Sequence, residues 1–112
     1  KFLLSPMEFA RYIDELDSPH VGMYFDFANS LVQGFSEHWM RILGKRIRKC
    51  DVKDFSRKEN RFVAVGDGDA NFREIKKVLE EWGYNDYLTA ESNVGNKEEL
   101  TDARVRMERV FK

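Results

Sequence analysis

Asp26, Asp51 and Glu91 each follow a short apolar or mixed run: His20-Val-Gly-Met-Tyr-Phe-Asp26, Ile47-Arg-Lys-Cys-Asp51-Val-Lys-Asp54 and Tyr87-Leu-Thr-Ala-Glu91. Carboxylates are hard oxygen donors for divalent cations, and they can accept or return a proton beside a reacting carbon. Each run is followed by a loop and then an amphipathic helical pattern, the order expected of successive βα units in a parallel sheet. Ligands in such folds gather at the carboxyl ends of the strands. The three acids are therefore expected to converge on one site.

Other chemistries lack the residues they need. Asp67-Gly-Asp69-Ala-Asn71 imitates the start of a calcium loop, but the positions for the turn glycine and the bidentate glutamate hold Phe72 and Val78. The stretch reads instead as a glycine-containing loop between a strand and a helix, with acids that cap the helix. No Cys-x-x-Cys, His-Glu-x-x-His, Gly-x-Ser-x-Gly or phosphate-loop pattern is present. His20 precedes a strand at the end opposite the site, and His38 falls in the first turn of a helix. Both read as structural or solvated.

The elements that must position the acids follow from capping and periodicity. Ser5-Pro6-Met7-Glu8 is a capping box with proline at the first helical position, opening a helix that runs to about Leu16 with Phe9, Tyr12, Ile13 and Leu16 as its buried stripe. Asp17-Ser18-Pro19 ends it, and the first strand carries Val21, Tyr24 and Phe25. Ser36 is expected to cap a second helix bearing Trp39, Ile42 and Leu43, closed by Gly44. A strand from about Ile47 to Lys53 follows. Asp69 or Asn71 caps a third helix with Phe72, Ile75, Leu79 and Trp82, ending at Gly83. A short strand from Tyr87 to Glu91 leads to Asn96, the cap of a last helix with Leu100, Ala103, Met107 and Val110. The order is αβαβαβα.

The chain has 112 residues, 42% of them hydrophobic and 13% aromatic, enough for one compact core; residues 1–112 read as a single domain. A net charge of −1 gives no global field for nucleic acid or an anionic membrane. The clusters Lys45 to Lys49 and Arg57 to Arg61 read as solvated charge. One cysteine, Cys50, excludes an internal disulfide and suits a reducing compartment, so the expected location is cytoplasmic. No apolar run approaches the ~20 residues that cross a bilayer. The first residue is not methionine and the opening reads as loop, as in a fragment, a processed product or an engineered piece. Three strands cannot close a barrel, and an open parallel sheet leaves two unpaired edges. More strands are expected from another chain or copy.

Over nearly its whole length the chain resembles the sugar phosphate isomerase/epimerase family, the xylose-isomerase-like TIM barrels that include ketose 3-epimerases and hexulose-phosphate isomerases. The resemblance rests on Tyr24-Phe-Asp-Phe-Ala-Asn29, Arg46-Ile-Arg-Lys-Cys-Asp-Val-Lys-Asp-Phe55, Val65-Gly-Asp-Gly-Asp-Ala-Asn-Phe72 and Gly83-Tyr-Asn-Asp-Tyr-Leu-Thr-Ala-Glu91. It implies an α/β fold that is the closing part of a (β/α)8 barrel, from the fifth helix through strands six, seven and eight to the last helix.

The resemblance further implies a divalent metal held by a glutamate, an aspartate, a histidine and a glutamate on strands five to eight. The aspartate falls on Asp26 and the last glutamate on Glu91. The histidine position holds Asp51, and the first glutamate would lie upstream of Lys1. Arg57 matches an arginine that contacts substrate, Asn29 matches a polar substrate-side position, and Lys53 is a further candidate for substrate hydroxyls or phosphate. An all-carboxylate set of Asp26, Asp51 and Glu91 favours manganese or magnesium over zinc.

The implied reaction is proton transfer next to a ketose or ketose-phosphate carbonyl, with Glu91 as metal ligand and general acid or base. One such glutamate instead of two predicts a chain that is impaired or inactive alone. A self-assembling barrel piece without catalysis is the alternative. Its partners would be a second copy or a complementing amino-terminal half-barrel. Nuclease activity, known among distant members, lacks its extra histidines and basic surface here.

Overall fold

The computed structural model describes residues 3–112. Helix α1 spans Pro6–Glu15 and opens on the expected capping box: the Glu8 backbone N–H donates to Ser5 Oγ, and the Ser5 N–H donates to Glu8 Oε2. Strand β1 is Met23–Asp26, and helix α2, Phe27–Leu31, begins directly on its last residue. Helix α3 is Ser36–Leu43, followed by a 3-10 turn at Gly44–Arg46 and strand β2 at Ile47–Val52. Strands β3, Asp54–Ser56, and β4, Arg61–Val63, form a hairpin. Helix α4 is Phe72–Trp82, strand β5 is Leu88–Ala90, and helix α5 is Lys97–Phe111.

The parallel sheet has the order β1-β2-β5. Adjacent placement of strands that are consecutive βα units, each joined through a helix, is the order of a barrel wall. Helices α1, α3, α4 and α5 form a layer in which each packs on the next. Phe25, Cys50 and Val52 point into this layer and are almost fully buried among Met40, Leu43, Ile75 and Val78. Side chains alternate along a strand, so the other face carries Tyr24 and Asp26 from β1, Lys49 and Asp51 from β2, and Thr89 from β5. Among the described residues each outer strand, β1 and β5, is paired on one side alone.

Several local expectations change. The element order contains two insertions into αβαβαβα: helix α2 and the β3–β4 hairpin. Both lie at the carboxyl end of the sheet, and Ala28, Leu31 and Phe55 form a small second core between them. Ser36 is not the cap of α3. That place falls to Phe35, and the Ser36 hydroxyl donates to the Phe27 carbonyl at 2.6 Å, tying α3 to α2. Asn71 rather than Asp69 caps α4, and Asp69 accepts from the Arg57 backbone N–H at 2.7 Å. Tyr12 and Leu16, assigned to the buried stripe of α1, are 45% and 46% exposed; Phe9 and Ala10 carry the contact with the core. Gly83 takes the left-handed φ of 63° that closes α4.

Candidate metal centre

Register brings the acids together. Asp26 and Asp51 are paired positions of β1 and β2, and Thr89 of β5 lies opposite Asp51 on the other side. Glu91 follows one residue beyond β5. Its backbone N–H donates to the Val52 carbonyl at 3.0 Å, continuing the ladder past the strand end. One carboxylate oxygen from each of Asp26, Asp51 and Glu91 lies within 4.8 Å of those of the other two. All three sit at the carboxyl ends of neighbouring parallel strands.

Each acid is held differently. Asp26 is the cap of α2: its Oδ1 accepts the Asn29 backbone N–H at 2.8 Å and its Oδ2 accepts Asn29 Nδ2 at 2.9 Å. Asn29, a substrate-side candidate, thus orients a ligand candidate with both of its nitrogens. Asp51 Oδ1 accepts the Tyr24 hydroxyl at 2.6 Å. Glu91 Oε1 accepts Lys53 Nζ at 2.9 Å, and the Lys53 ammonium also lies 4.3 Å from the Phe62 ring centre. Exposure of half the Glu91 side chain keeps this pair largely solvent-screened.

The charges respond as a crowded anionic site should. Burial, together with the neighbouring Glu91 carboxyl, holds the Asp26 carboxyl above its usual range, although the Asn29 N–H and the Lys53 charge pull the other way. The hydrogen bond from Lys53 holds Glu91 below its usual range. Asp51 holds the Tyr24 phenol above its ordinary value, because the neutral phenol is the donor. Carboxylates this close favour either a shared proton or a cation. Lys53 already supplies one positive charge, and the donor set is oxygen alone. These residues fit a hard divalent cation such as magnesium or manganese.

Arg57 is directed elsewhere. Its Nη2 donates to the carbonyls of Leu31, at 3.1 Å, and Gly34, and its guanidinium carbon lies 4.7 Å from the Phe35 ring centre. The side chain pins the loop between α2 and α3 to the hairpin. Lys53 belongs with the carboxylates and Asn29 with Asp26, so five of the six predicted residues form one connected group.

Two residues outside that prediction shape the site. Asp54 is fully buried and accepts four backbone N–H groups: Phe55 and Ala70 on Oδ1, Gly66 and Gly68 on Oδ2, at 2.8 to 3.0 Å. It thereby binds the glycine-containing loop to the start of the hairpin that carries Phe62. A side chain at Gly68 would collide with Asp54 Oδ1 and the Phe55 carbonyl oxygen. Tyr24 is the second. Its position two residues before Asp26 already places it on the same strand face, which is the signal sequence reading had available.

Beyond the carboxylates, no helix among the described residues is long and apolar enough to cross a membrane. None of the curated proteins compared with the chain matches it. Among solved structures, the chain is similar to a xylose isomerase domain protein from Planctomyces limnophilus, with a TM-score of 0.82 and 24% identity. The match covers 95% of this chain and 43% of that one, so the chain spans under half the length of its structural relative. That likeness establishes the partial-barrel fold. The family model for the xylose isomerase-like TIM barrel matches residues 1–109, and the chain belongs to that family.

Proposed function

We propose that this chain is the carboxyl-terminal, cation-holding part of a divalent-metal-dependent sugar or sugar-phosphate epimerase or isomerase, which transfers a proton on the carbon next to a ketose carbonyl. The observation that carries this reading is the meeting of Asp26, Asp51 and Glu91 at the ends of three adjacent parallel strands. A divalent cation held by these three would polarise a ketose carbonyl and its neighbouring hydroxyl. Glu91 is the acid/base candidate: it is exposed, and the hydrogen bond from Lys53 keeps it ionised, the form that a base must start from. Lys53 donates from beside it to a substrate hydroxyl or phosphate. Asn29 sets the orientation of Asp26, and its side-chain oxygen serves the same face. Arg57 acts indirectly, holding the loop between α2 and α3 through its contacts with the Leu31 and Gly34 carbonyls.

A second proton-transfer group on the opposite side of the substrate is not supplied here. The chain alone is then a poor catalyst, and complete chemistry needs further barrel strands. Manganese titration tests the cation site: saturable binding abolished in Glu91→Ala supports the reading. A failure of the unsubstituted chain to bind manganese would overturn it.

A second reading is favoured by the outer edges of β1 and β5 and by an aspartate where relatives are expected to carry a histidine. On that reading the chain is a non-catalytic barrel piece whose copies associate through their sheet edges. Light scattering of the chain decides between association and a monomer. A discrete oligomer that binds no manganese would favour the scaffold.

A further inference from the structure

We infer that Tyr24 is a positioning residue for the cation site, holding Asp51 as a fixed oxygen ligand through its hydroxyl. The inference rests on the metal-dependent reading above and assigns a role within that site. Tyr24 lies one alternation before Asp26 on β1, and its phenol crosses to β2 to donate to Asp51 Oδ1 at 2.6 Å. The ring is 57% exposed, on the face of the sheet away from the helices, so it contributes little to the core. Its hydroxyl donates to one carboxylate oxygen of the site and also meets the side chain of Thr89 on β5.

Asp51 needs such a partner more than its neighbours do. Asp26 is held by two donors from Asn29, and Glu91 by Lys53. The only side-chain hydrogen bond to Asp51 among the described residues comes from Tyr24. An aspartate has two torsions and two equivalent oxygens, and a ligand free to rotate must be ordered when the cation arrives. A donor on one oxygen restricts the rotation of the carboxylate and leaves its other oxygen without a side-chain donor among the described residues. Groups that hold a ligand in this way typically change metal affinity by about 10- to 100-fold when removed.

The test is a manganese titration of the unsubstituted chain, Tyr24→Phe, Asp51→Ala and the double variant, followed by water-proton relaxation, with metal-free melting temperatures as the control. Tyr24→Phe keeps the ring and removes the hydroxyl. The expected result is an affinity about tenfold weaker in Tyr24→Phe at an unchanged melting temperature, with no further loss when Tyr24→Phe is added to Asp51→Ala. An affinity within twofold of the unsubstituted chain would overturn the inference, as would the same tenfold loss in the Asp51→Ala background. If Asp51→Ala binds too weakly to measure, the single variant and its melting temperature decide. Absence of manganese binding in the unsubstituted chain would instead refute the metal-dependent reading itself.

Discussion

Asp26 and Asp51 face each other across β1 and β2 as register partners, so the sheet places two carboxylates side by side at its carboxyl end. Hydrophobic burial of Phe25 and Cys50 on the other face fixes this register, because a slip of one residue in either strand would turn that strand's apolar side chain to solvent. The arrangement works against the metal-free fold. Asp26 ionises less readily than a free aspartate, chiefly because it is partly buried.

Asp26→Asn should therefore raise the stability of the metal-free chain at neutral pH and abolish manganese binding. Asparagine is as good a helix cap as aspartate, so the bond from the Asn29 N–H survives, and the exposed Asn29 side chain turns its amide oxygen to the new amide nitrogen. The sign follows from linkage. A carboxyl whose folded pKa is raised stabilises the fold below its unfolded value of about 3.9, and that contribution is lost as pH rises through the folded value. The two proteins should melt alike near pH 3 and diverge above it, with the variant higher. Melting curves across pH 3 to 7 without metal check this; a lower-melting variant at pH 7 would contradict it.

Asp54→Ala should unfold the hairpin side of the site. Four backbone N–H groups lose a buried charged acceptor, and each unsatisfied donor costs roughly 1–3 kcal/mol. Some will be rehydrated as the loop opens, so a loss of about 3 kcal/mol is expected. Asp54→Asn should not rescue it, because its amide nitrogen would face two of the same donors. Denaturant melts measure the loss, and a change under 1 kcal/mol would mean that the loop is held by other contacts.

The parts of this fold legible from sequence are those set by local rules. Ser5 with Glu8, Asn71, Asn96 and Gly83 mark helix ends through bonds that span three or four residues, and each does so in the structure. Ser36 was misleading because its hydroxyl answers a carbonyl nine residues away instead of its own helix. The β3–β4 hairpin has strands of three residues, too short for periodicity to reveal, and depends on Asp54 reaching a loop 12 to 16 residues later. The convergence of Asp26, Asp51 and Glu91 was legible because all three share one position, the end of a parallel strand. The Tyr24 contact was not, because it depends on register across strands.

Cys50 should be inert in the folded chain. It is fully buried on the helix side of β2, and desolvation pushes its thiol up to about 12. The thiolate is the reactive form. At pH 8 a disulfide reagent should modify it only as fast as the chain opens, and addition of denaturant should release one thiol promptly. Immediate labelling in native buffer would mean that the helix layer opens locally over β2.

Lys53→Met should tighten manganese binding at neutral pH while weakening any contact with substrate. The ammonium, 2.9 Å from Glu91 Oε1, is a positive charge beside the place proposed for a cation, and it occupies an oxygen that the cation would use. Two unit charges ~4 Å apart repel by about 1 kcal/mol in water and more where solvent is partly excluded. A gain of about three- to tenfold is expected, near the lower end because Glu91 is half exposed. Methionine keeps a long apolar stem against Phe62. The gain should shrink toward acid pH: without Lys53, the Glu91 carboxyl rises from its lowered value, and protons then compete with manganese for it. Titrations at pH 5 and pH 7.5 separate these terms. Weaker binding at pH 7.5 would show that Lys53 holds Glu91 in its ligating position, and that its hydrogen bond outweighs its charge.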